Sequence, residues 1–75
     1  MNKVRRNMLT EIVNSLESIR SSLENLRDEE EDAFDNLPES IQESERGDTM
    51  QEAIDALDCA CDSLEDAIDS INEAI

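Results

Sequence analysis

The chain has 75 residues, 21 acidic and 6 basic, for a formal net charge of −15 at pH 7; it contains no His, Trp or Tyr, and one each of Phe, Gly and Pro. A chain this short makes one small domain, and such domains usually need a disulfide, a metal or a second subunit to bury enough surface. Without His there is no imidazole base or ligand, and a single glycine cannot build a phosphate-cradling loop, so the composition argues against an enzyme and against any cofactor or metal.

The opening stretch MNKVRRNMLTEIVNSL begins basic, but Thr10, Glu11, Asn14 and Ser15 interrupt any apolar run. Neither a secretory signal nor a membrane span is read there, so a cytoplasmic protein is expected, in a host cell if phage-encoded. Structural disulfides are not expected in that reducing setting.

Leu9, Ile12, Leu16, Ile19, Leu23 and Leu26 then follow in alternating steps of three and four, with Ala33 and Leu37 in phase. The spacing predicts a heptad helix over about residues 7–36 with these residues in its core, and it leaves Met8 and Val13 at the margins. A connector at 37–48 follows. Pro38 suits the first turn of a short helix reaching about Arg46, and Gly47 reads as a helix stop.

A second helix is predicted over about 49–75, opened by a capping box in which Thr49 caps and Glu52 answers. Met50, Ile54, Leu57, Cys61, Leu64, Ile68, Ile71 and Ile75 repeat the heptad. Folded back antiparallel about Gln42, the two helices set Leu9 against Ile75, Leu16 against Ile68, Leu23 against Cys61 and Leu26 against Leu57. The same register brings Arg20 beside Glu65, Arg27 beside Asp58, and Ser15 and Ser22 against Ala67 and Ala60. The expected fold is all-α: an antiparallel hairpin with a short helical connector, dimerising into a four-helix bundle.

Cys59 and Cys61 point about 200° apart on a helix and cannot act jointly. Cys61 is expected in the core as a small hydrophobe and Cys59 outward among aspartates, where neighbouring carboxylates disfavour a reactive thiolate.

Charge is the informative pattern. Residues 1–27 carry five basic side chains against three glutamates, a net of +2, while residues 28–75 carry eighteen acids against Arg46 alone, a net of −17. The outward acids Asp55, Asp62, Asp66, Asp69 and Glu73 form the candidate binding face for a basic, nucleic-acid-binding protein, with no membrane or direct nucleic-acid contact expected. Two other readings stay open: a helical assembly module whose acids only keep it dissolved, and a sponge holding a small ligand between subunits.

The stretch from about Leu23 to Ile75, with its linker NLPESIQESERG and units of the type SLEDAI, resembles a group of small acidic two-helix proteins of Gram-positive bacteria and their phages. By charge alone the chain also resembles phage DNA-mimic inhibitors of restriction and CRISPR systems. The resemblance implies a phage-encoded inhibitor of a host defence enzyme and carries no site residue with it.

Overall fold

A computed structural model describes all 75 residues. Two long helices, α1 (Lys3–Asp35) and α3 (Glu45–Ala74), pack antiparallel across a one-turn helix, α2 (Glu39–Gln42), in a rod of 58 × 15 × 11 Å. α1 begins four residues earlier than the apolar pattern suggested because Asn2 caps it, its side chain accepting from Arg5 N at 2.9 Å. Its other end is closed from a distance: Gln42 Nε2 donates to the Phe34 carbonyl at 2.9 Å, beside the Leu37 N–H that donates to the same oxygen at 3.0 Å, at a helix end whose carbonyls lack their usual intrahelical partners.

The connector is tighter than expected. α2 covers four residues instead of the run to Arg46, and α3 starts at Glu45 after Ser44, which has extended backbone (φ −87°, ψ 173°). Gly47 is therefore not a helix stop; it lies in the first turn of α3 with negative φ and is buried. A Cβ there would run into the backbone of Gln42 and Ile41, so glycine is required by close approach of α3 to the connector. Thr49 is likewise inside the helix, donating to the Glu45 carbonyl at 3.1 Å, and the expected capping box is not used.

Arg27 Nη1 meets Asp58 Oδ1 at 2.7 Å, the cross-hairpin contact that the sequence suggested. On α3 the core phase is as expected: Ile54, Cys61 and Ile68 are buried, and Met50, Leu57, Leu64 and Ile71 half-buried. On α1 the phase is corrected. Val13, assigned to the margin, is buried, whereas the expected core residues Ile12, Ile19 and Leu26 are 47%, 50% and 55% exposed. The residues that turn inward are Leu9, Val13, Leu16, Arg20, Leu23, Arg27, Glu30 and Phe34.

The reason is geometric. Side chains stay level across an antiparallel pair only if both helices step by the same number of residues between layers. From Ile75 to Ile71 to Ile68 the steps are four and three, so α1 must run from Leu9 to Val13 to Leu16. Ile12 would fall a residue short, opposite exposed Asn72. Arg20 and Arg27 consequently lie level with Leu64 and Leu57, their stems along the seam and their heads at its edge.

One side of the hairpin is closed and the other open. In heptad terms the apolar a residues Val13, Ile54, Cys61 and Ile68 are buried, while the d residues Leu9, Leu16, Leu23, Leu57, Leu64 and Ile71 are all only half-buried. In an antiparallel pair the a rows of both helices border one side and the d rows the other. Ser15, Ser22, Ala53, Ala67 and Ala74 are exposed, and Ala60 half-buried, so the small residues line the open side instead of filling the seam.

Candidate interaction surfaces

No side chain of this hairpin sits in an enclosed cavity. The two hollows present are open depressions along α1, one beside Met8, Glu11, Ile12, Ser15 and Leu16 and one beside Arg5, Met8, Leu9, Ile12 and the preceding Met1. No group of three or more Cys, Asp or Glu side chains is placed to hold a metal ion. Both cysteines are free, Cys59 exposed and Cys61 buried, on different faces of α3.

The acidic face is built by helical spacing alone. Asp55, Asp62, Asp66, Asp69 and Glu73 follow steps of seven, four, three and four, which align them on the side of α3 turned away from Ile54, Cys61 and Ile68. All five are exposed. Asp55 accepts a hydrogen bond from Gln51 Nε2 at 3.1 Å, and the other four have no hydrogen-bond or ion-pair partner within the chain. At 1.5 Å per residue the row runs about 27 Å, one carboxylate every ~7 Å, against one phosphate per ~3.4 Å along a single DNA strand.

The flanking acids differ. Asp58 is engaged by Arg27, which also reaches Asp28 Oδ1 at 3.2 Å, and these two carboxylate hydrogen bonds, Asp58 first, raise the Arg27 pKa above its ordinary value. Glu65, expected beside Arg20, is unpaired: Arg20 turns along its own helix to Glu24, Nε to Oε1 at 3.5 Å. That contact is too poorly aligned to be a hydrogen bond and leaves the buried Nε without an acceptor.

A second surface is uncharged. The d, g and c rows of α1 from Met8 to Leu26 read Met, Leu, Ile, Ser, Leu, Ile, Ser, Leu, Leu; those of α3 from Met50 to Ala74 hold only Met, Ala, Leu, Ser and Ile. In a chain with 36% charged residues these rows make one continuous face without a charge. Ile12, Ile19 and Leu26 of this face were assigned to the hairpin core by their spacing; only level-layer matching of the two helices separates them from it.

No protein-family model, curated protein or solved structure matches the chain.

Proposed function

We propose that the protein is a non-catalytic interaction protein that presents the acidic face of α3 to a basic, nucleic-acid-binding protein, and that it does so as a homodimeric four-helix bundle. The observation that carries this reading is the row Asp62, Asp66, Asp69 and Glu73, exposed and without any basic neighbour in the chain. Like charges at i,i+4 destabilise a helix by a few tenths of a kcal/mol per pair, so an unrelieved row of this kind is consistent with relief from outside. An inhibitor of a host defence enzyme, occupying the groove that enzyme keeps for nucleic acid, is the role this charge pattern fits.

Capture of partners from host lysate at low and high salt tests it, with wild type beside a variant carrying Asn or Gln at Asp55, Asp62, Asp66, Asp69 and Glu73. The expected partner binds the wild type, is lost with the variant, is displaced by duplex DNA, and is released steeply between about 50 and 200 mM salt. Binding that survives both the substitutions and the salt overturns the reading. The uncharged face favours a second reading, a helical assembly module, for which association persists in high salt.

A further inference from the structure

The open, uncharged face has features that together specify its occupant. Along α1 it carries Ile12, Ile19 and Leu26, each about half exposed, beside half-buried Leu9, Leu16 and Leu23. Along α3 it carries the line Ala53, Ala60 and Ala67, beside half-buried Leu57, Leu64 and Ile71. The uncharged rows run about 27 Å along α1 and about 36 Å along α3, and together with the charged ends the side of the rod on which they lie, 58 by 15 Å, matches the ~800 Å² that one partner contributes to a specific interface of standard size. The accessible surface gives the same indication: 5414 Å², where a compact monomer of 8.5 kDa exposes about 4,700 Å².

Charge selects the arrangement. α1 places Lys3, Arg5 and Arg6 at its N-terminus and the acidic run 28–32 with Asp35 at its C-terminus, with no acid in its first turn and no base in its last. Both ends oppose the helix dipole. Neither is corrected within the chain, since the only ion pairs are those of Arg20 and Arg27. A second α1 running antiparallel against the first corrects both at once.

We propose that this face is covered by a second copy of the chain, related by a two-fold axis near Ile19 and perpendicular to the rod, so that the two connectors lie at opposite ends. The inference rests on the homodimer reading above and names its surface and orientation. The α1 helices then pair antiparallel through Ile12, Ile19 and Leu26, with Arg5 and Arg6 of each copy level with Asp32 and Asp35 of the other. The two α3 helices then cross near Glu65, with Ala60 and Ala67 of each copy level with Ser70 and Ser63 of the other, small residues that permit close approach. The alternative two-fold, along the rod, stacks both acidic connector ends together and leaves the basic ends unpartnered. In the proposed dimer the rows Asp55, Asp62 and Asp69 face outward on both copies.

Sedimentation equilibrium and pulsed dipolar spectroscopy on the full chain test this. Wild type is expected at twice the 8.5 kDa of the chain, and Ile19→Glu at the monomer mass, whereas Asp62→Lys on the opposite face remains dimeric. For orientation, a spin label at Glu43→Cys in a Cys59→Ser, Cys61→Ala background is expected to give an intermolecular distance approaching the rod length of 58 Å. A wild-type monomer overturns the homodimer reading and this inference together. A dimer that survives Ile19→Glu leaves the homodimer reading standing and overturns the face. A distance below about half the rod overturns the orientation alone.

Discussion

Arg27 and Asp58, thirty-one residues apart, are joined by the only hydrogen bond between side chains of α1 and α3, at 2.7 Å, and Arg27 sits there in a core layer level with Leu57. The pair marks the register more than it stabilises the fold, because Asp58 is 54% exposed and surface ion pairs contribute little. Asp58→Ala is expected to cost under about 1 kcal/mol in urea unfolding. Arg27→Leu, which fills the layer with an apolar side chain, is expected to raise the midpoint; a fall would mean that the layer depends on its charge.

The pH dependence of that pair follows from its sign. The Arg27 pKa is raised in the fold, so its contribution is complete below the ordinary arginine pKa and is lost only above it. The difference in melting temperature between wild type and Arg27→Leu should therefore stay constant from pH 7 to pH 10. A difference that shrinks across that range would contradict the pairing.

Gly47→Ala reverses an ordinary rule. Within a helix this substitution usually stabilises by about 0.5–1 kcal/mol. Here the new Cβ meets backbone atoms of Gln42 and Ile41, which cannot give way as a flexible side chain would. Gly47→Ala is expected to destabilise, by at least about 2 kcal/mol, in thermal or urea melts.

The cysteines supply an internal contrast on α3. Cys61→Ser introduces a hydroxyl into a position only 4% exposed and should cost about 1–3 kcal/mol. Cys59→Ser, on the exposed face, should change stability by less than about 0.5 kcal/mol. Equal effects would place the α3 core elsewhere.

Salt should stabilise the protein. Asp58, Asp62 and Asp66 succeed one another at i,i+4, and added salt screens such exposed like charges, so the melting temperature is expected to rise from 20 mM to 500 mM NaCl. Neutralising Asp55, Asp62, Asp66, Asp69 and Glu73 should flatten that rise. An unchanged slope would mean that the repulsion resides in residues 28–35.

The two long helices, their antiparallel pairing and the Arg27–Asp58 contact were legible in the sequence because heptad spacing is a local signal. So was the α3 core, where the only large apolar side chains fall on the two lines that border the seam, Ile54–Cys61–Ile68 and Met50–Leu57–Leu64–Ile71. α1 was harder to read because it carries two apolar lines, Ile12–Ile19–Leu26 and Leu9–Leu16–Leu23, and spacing alone groups them into one seam. The placement of Val13 depends on which helix faces which, a tertiary condition. Thr49 and Gly47 carry genuine helix start and stop signals, overridden by an earlier start at Glu45 that seats Gly47 on the connector. The acidic face was readable as a pattern because exposed helical rows follow from periodicity alone.

The tight connector also bears on whether two chains could exchange helices. Antiparallel hairpins with matching seams are prone to exchange, α3 of one chain docking on α1 of another, and a loose connector would permit that form as readily as the closed one. Opening this connector breaks the Gln42 bond to the Phe34 carbonyl and lifts Gly47 off the Gln42 backbone. These contacts favour the closed hairpin over an exchanged form, and a bulkier residue at position 47 is the change expected to weaken that preference.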